Sequence, residues 1–245
     1  MVESSDIVSD EPRPKDAGAR RRGVSITAMT RADVAPLRVE NMTSRQLVRR
    51  AKLIEAITEL VEEVGSQAVQ MQDVAKRSGV ALGTAYRYFR SKDHLLAAAM
   101  AEWQQRFFRR MMLTDEAAGQ EPISRVVNYL ERSFKAFHRN PEMAALMVQT
   151  LTSGDPDVQA ALKAMSQAST DLFRQLLAGT SDADAPYVTY ALEATTVKAA
   201  AEMVTGQATL AESIDNAVGV ARALLGDNPP LVVSPPKARS RSRQF

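Results

Sequence analysis

The residues best suited to contact chemistry lie in one short run, "SGVALGTAYRYFRSKDHLL", Ser78 to Leu96. Thr84, Tyr86 and Tyr88 supply hydroxyls, and Arg87, Arg90 and Lys92 supply fixed positive charge. Such a set can recognise an anion through hydrogen bonds and charge. Elsewhere the means for catalysis are thin. Cysteine is absent, which excludes a thiol nucleophile, a disulfide framework and cysteine-ligated metal. The two histidines, His94 and His138, have no histidine neighbour in sequence, and no Ser/His/Asp set, Gly-rich phosphate loop or metal-ligand cluster stands out. The chain therefore reads as a non-enzyme that needs neither metal nor cofactor.

The net charge of +2 hides an uneven layout. Residues 44–110 carry 12 Lys/Arg against 7 Asp/Glu, whereas residues 111–228 carry 8 against 15. A basic segment before an acidic body points to an anionic partner for the first part, with ordinary surface charge as the plainer alternative. At 245 residues and 45% hydrophobic content, the chain can bury a sizeable core in one or two domains. It has no apolar run long enough for a membrane span, and its acidic opening "MVESSDIVSDEPRP" lacks the apolar stretch of a secretory signal. A cytoplasmic location with no membrane role is the expectation.

These contact residues sit within a chain that reads as helical throughout, with no alternating run of strand length. Residues 1–43, including the basic triplet Arg20–Arg22, and the Pro-rich then basic 227–245 read as flexible tails. A first helix is expected over 44–64, capped by Ser44 and stopped by Gly65. Its apolar stripe runs through Leu47, Ala51, Ile54, Ile57, Leu60, Val61 and Val64. "QMQDVAKRSG" gives a short helix over 71–78 ending at Gly79, "LGTAYRYF" a second, and Ser91 caps a longer one from Lys92 to about Arg110. Two short helices joined by a tight glycine turn form a helix-turn-helix. In it Val80 plugs the angle between helices and Phe89 packs inward, while Thr84 and Tyr86 face out. Helices over 122–139, 141–152, 155–178, 186–206 and 211–225 follow, punctuated by Pro and Gly.

The run from Val69 to Met100 resembles the DNA-binding segment of TetR-family transcriptional repressors. The matching positions are Val74-Ala75, Gly79-Val80, Gly83-Thr84, Tyr86, Tyr88-Phe89, Ser91-Lys92 and Leu95-Leu96. Within the family it looks closest to actinobacterial repressors of sterol catabolism. The resemblance implies an all-α fold: a three-helix DNA-binding domain over 44–91, then a helical effector-binding and dimerisation body over 92–226. It also implies that Gly83 lets the recognition helix approach DNA, that Leu82 and Thr84 face base edges, and that Tyr86, Tyr88 and Lys92 contact phosphates. Arg45 and Arg87 are further phosphate candidates, Arg87 being equally readable as a solvated charge. Two positions depart from the family pattern: Ala81 removes a helix cap and Ala85 trims the core.

In that family the body encloses an apolar cavity. Trp103, Phe107, Met111, Phe134, Phe137, Met147, Leu151 and Phe173 are candidates to line it for a small-molecule effector, apolar or acyl-CoA-like. The small residues of helices 186–206 and 211–225 suit the family's homodimer interface, and an intramolecular hairpin is the alternative. The expectation is a repressor that binds a palindromic operator in double-stranded DNA as a dimer. An activator on the same fold, a helical adaptor without a DNA role, and an enzyme with an incidental helix-turn-helix are the rivals.

Overall fold

The computed structural model describes residues 39–112, 121–181 and 184–226. Among them the chain forms one 3₁₀ turn, Val39–Asn41, then nine α-helices and no strand, in keeping with the all-α class. The tail readings for 1–38 and 227–245 lie outside the described residues.

α1 (Ser44–Ala68) is capped by Thr43, not by Ser44. A cap needs extended backbone, and Thr43 has it (ψ 160°). The Thr43 hydroxyl accepts from Gln46 N (3.4 Å), and Gln46 Oε1 accepts from Thr43 N (2.7 Å), a reciprocal capping box. The buried face is Leu53, Ile54, Ala56, Ile57, Leu60 and Val61. Leu47 and Val64 continue that stripe beyond its buried span and are exposed. Ala51 falls on the opposite side and is exposed too. Gly65 interrupts α1 as expected (φ 77°, ψ 153°), but a further turn follows to Ala68.

α2 (Met71–Ser78) ends at Gly79, whose left-handed backbone (φ 67°) makes the tight turn. α3 (Leu82–Tyr88) starts at Ala81 without a side-chain cap. α4 (Lys92–Met112) is capped by Ser91, whose hydroxyl accepts from His94 N at 3.0 Å. α1 to α3 and the first half of α4 share one core, in which Leu53, Ile57, Val74, Val80, Phe89 and Leu95 are buried.

α5 (Pro122–Arg139), α6 (Pro141–Leu151) and α7 (Pro156–Leu176) each begin with proline, which fits a first turn whose N–H has no helical partner. α8 (Ala185–Val204) and α9 (Leu210–Leu225) follow, the latter opened by a Thr209–Glu212 capping box. A second core gathers Leu130, Phe134, Phe173, Leu192, Ala200 and Ala217 from these helices. Trp103 of α4 and Met147 of α6 pack against both cores. α4 thus begins in one core and ends in the other. Among the described residues no helix is long and apolar enough to cross a membrane.

Candidate nucleic-acid interface and body cavities

α3 is two-faced. Ala85, Tyr88 and Phe89 point into the first core, at the three- and four-residue steps of a helical stripe. Gly83 and Arg87 are exposed, and Leu82, Thr84 and Tyr86 are half-buried at the margin. Tyr88 corrects the outward placement expected of it: only 4% of its surface is accessible. Its position three residues after Ala85 sets it on the packed face. Arg45 is exposed near the start of α1.

Lys92 is half-buried, and its ammonium is engaged. Nζ donates to the carbonyls of Ser66 and Gln67, each at 3.2 Å, at the end of α1. A cation there satisfies orphan carbonyls and opposes the negative helix end. The same corner is tied to the body, because the Ser66 hydroxyl donates to Gln149 Oε1 of α6 at 2.8 Å. Nearby, the Arg50 guanidinium lies 5.3 Å above the Phe89 ring, and His94 meets that ring edge-on at 5.2 Å. Arg77 is held by both oxygens of Glu63, at 2.5 and 2.7 Å, so its charge is already paired.

Two of the cavities among the described residues differ in the charge of their lining. The larger, about 520 Å³, lies between α1, α4 and α5. Trp103, Phe107 and Met111 form its apolar side, and Arg106, Arg110, Arg132 and Arg139 bring positive charge, with Glu62 opposing them. The Trp103 ring stacks on Phe107 (6.1 Å, 8°) and on Phe137 (5.5 Å, 19°). Such a pocket suits a ligand with a flat apolar part and an anionic part. The smaller cavity, about 180 Å³, lies among α4 to α8 and includes Leu151 and Phe173. Of the eight lining candidates, five therefore border one cavity or the other. Phe134 and Met147 border neither: Phe134 is fully buried in the second core, and Met147 sits between the cores. Phe137 backs the larger cavity through its stack on Trp103.

The four arginines escaped the sequence reading because exposed arginines are ordinarily solvated. Their signal was positional. Arg106 and Arg110 repeat at the same four-residue step as Trp103, Phe107 and Met111, one residue before the second and third of these. Among the described residues no cluster of His, Asp and Glu could hold a metal ion.

A two-faced helix after a glycine turn, set on a three-helix core, forms a helix-turn-helix. Residues 53–99 match the family model described as bacterial regulatory proteins, tetR family. Over those residues the helix-turn-helix is similar to that of the tetR family. The chain is 31% identical over 138 residues to the HTH-type transcriptional repressor KstR of Rhodococcus jostii (strain RHA1). That match covers 56% of this chain and 64% of the repressor, so the chain spans just under two thirds of that relative's length. Among solved structures it is similar to a TetR transcriptional regulator from Rhodococcus sp. RHA1, with 27% identity and a TM-score of 0.62. That likeness covers 76% of this chain and 100% of the other. The fold is also that of the regulator FadR from Bacillus subtilis, solved in complex with stearoyl-CoA, at 17% identity and a TM-score of 0.57 over 72% of this chain and 97% of FadR.

Proposed function

We propose that the chain is a ligand-responsive transcriptional repressor of the cytoplasm, with residues 44–91 binding DNA and 92–226 binding an effector and a second copy. The observation that carries this reading is the outer face of α3. Gly83, Thr84 and Arg87 are presented there on a short helix whose other side is locked by Ala85, Tyr88 and Phe89. A helix so held can enter a major groove, with Leu82 and Thr84 near base edges and Tyr86, Arg87 and Arg45 near phosphates. Lys92 joins them if a phosphate reaches its remaining hydrogen.

A homodimer would place two such helices in successive grooves of a palindromic operator. In support, α8 exposes Tyr187 and Tyr190 at 77% and 76% and the apolar Val204, and α9 exposes Leu224, more apolar surface than a free helix pair favours. The arginine-lined cavity favours an acyl-CoA-like effector over a purely apolar one. Because it touches α1 through Thr58 and Glu62, an occupant there would bear directly on the DNA-binding helices.

The test is a band-shift titration on the chain's own promoter region. Selective retardation of that DNA, relieved by a long-chain acyl-CoA, is the expected result. Equal affinity for random DNA would sink the repressor reading.

A further inference from the structure

One carboxylate oxygen stands between two cation sites where α3 joins α4. Asp157 Oδ2, in the first turn of α7, lies 3.7 Å from Arg90 Nε and 3.7 Å from His94 Nδ1. Neither distance is a hydrogen bond, so neither contact is fully made. His94 Nδ1 is buried and has no hydrogen-bond partner. Its other neighbours are engaged elsewhere. Phe89 meets the imidazole edge-on, and Arg50 of α1 lies over that same Phe89 ring. Asp155 is taken up by Ser91 and by two backbone N–H groups of α7. Arg90 is exposed and falls in sequence between Arg87 and Lys92, two cations placed near phosphates.

We propose that Arg90 is a further DNA-backbone contact, released from Asp157 when His94 takes up a proton. With His94 neutral, Arg90 is the one cation beside Asp157 Oδ2 and is held toward the body. With His94 charged, both ring nitrogens are donors, and Nδ1 can close on Oδ2. The carboxylate is then divided between two partners. Arg90 is loosened, and its guanidinium can turn to a phosphate.

The groups facing His94 set the sign. Burial disfavours the imidazolium most, Asp157 and Asp155 oppose that, and Arg50 and Arg90 reinforce it. Moving Arg90 onto DNA removes one of those two cations and leaves Asp157 to His94, so DNA binding should draw a proton from solvent. By linkage, what tightens the hold on the proton when DNA is bound must tighten DNA when the proton is bound. Affinity therefore rises as pH falls below about 6.5, the ordinary histidine value. The inference rests on the reading of residues 44–91 as a DNA-binding domain.

The test is fluorescence anisotropy of the full chain on labelled DNA from its own promoter region, at pH 7.5 and 5.5 and at matched folded fraction. At pH 5.5 the wild type is expected to bind about threefold more tightly than His94→Gln, the worth of one exposed charge contact. Asp157→Asn should bind at pH 7.5 as tightly as the wild type does at pH 5.5, a gain that a merely structural aspartate would not give. Asp93→Asn, which removes an equal charge from the first turn of α4, should not show that gain. Arg90→Ala should lose the His94-dependent difference between the two pH values while keeping the histidine. Calorimetry at pH 6 in buffers of differing ionisation enthalpy should show more proton uptake by the wild type than by His94→Gln or Arg90→Ala. Equal pH dependence in wild type and His94→Gln overturns the proposal, and so does an Asp157→Asn gain no larger than that of Asp93→Asn. Unselective DNA binding at both pH values would fell the repressor reading and this inference together. Selective binding without a His94 dependence fells this inference alone.

Discussion

The Ser91 hydroxyl donates to Asp155 Oδ2 across 3.2 Å, joining the residue that caps α4 to the residue that caps α7. The other oxygen of Asp155 accepts from the backbone N–H of Asp157 (2.8 Å) and Val158 (3.3 Å). One carboxylate therefore starts a body helix and grips the link between α3 and α4.

Asp155→Ala should cost about 1–2 kcal/mol of stability, the usual loss for a helix cap, measured by urea unfolding at neutral pH. Burial raises the Asp155 pKa, but the two backbone N–H bonds and the Ser91 hydroxyl outweigh it and hold the carboxyl below its ordinary value. A depressed pKa gives stability that is fully present above the unfolded value of about 3.9 and lost as pH falls through the folded one. Asp155→Asn should flatten the stability profile in that acid window by lowering stability at pH 7 toward its acid value.

His94 gives a second pH dependence in a higher window. Burial lowers its pKa and outweighs the attraction of Asp157 and Asp155, while Arg50 and Arg90 add to the lowering. Asp157 Oδ2 lies 3.7 Å from His94 Nδ1, too far for a hydrogen bond. The folded protein thus favours neutral imidazole. Stability is full above the unfolded value of about 6.5 and falls as pH drops toward the folded one, because the unfolded chain takes up the proton first. His94→Gln should remove that decline, seen as equal unfolding midpoints at pH 7.5 and 5.5 after correction for the carboxylates. A decline of the same size in the variant would show that the proton goes elsewhere.

On the DNA side, Arg87→Ala should reduce the slope of log affinity against log salt by about 1. Tyr86→Phe should weaken operator binding roughly 3- to 10-fold, the worth of one hydrogen bond. Tyr88→Phe should leave operator affinity unchanged at equal folded fraction, since that ring is packed in the core. Equal losses from both tyrosines would place the Tyr88 hydroxyl on DNA after all.

The two tyrosines also show what was legible in the sequence. Helix boundaries were, because Pro122, Pro141, Pro156, Gly79 and Gly226 act locally and mark element ends whatever packs around them. The face of a seven-residue helix was less so. Pattern matching set Tyr88 beside Tyr86, whereas three-residue spacing from Ala85 sets it with the core. Thr43 was missed as the cap because the choice between neighbouring hydroxyls turns on backbone torsion. The partners of Lys92 and the pairing of Gln104 with Ser169 join residues 25 or more positions apart, beyond the reach of local spacing.

Trp103 is the sole tryptophan of the chain and borders the arginine-lined cavity, so its fluorescence reports on an occupant there. Octanoyl-CoA should give a saturable change in that signal, as the acyl part meets the Trp103 and Phe107 rings and the phosphates meet the arginines. Arg106 already shares its charge with Glu102 at 3.1 Å, so Arg110 should contribute more to binding. Arg110→Ala should weaken the interaction about tenfold, as expected for one charge-assisted contact at a wet rim. Arg106→Ala should weaken it less, and 0.5 M salt should weaken it for the wild type more than for the double variant, because the exposed arginines are screened. Octanoate tested in parallel should bind far more weakly, since it keeps the chain but not the phosphates. Equal binding of octanoate and octanoyl-CoA would assign the cavity to simple fatty acids, and a titration insensitive to both arginines would remove the anionic part of the effector altogether.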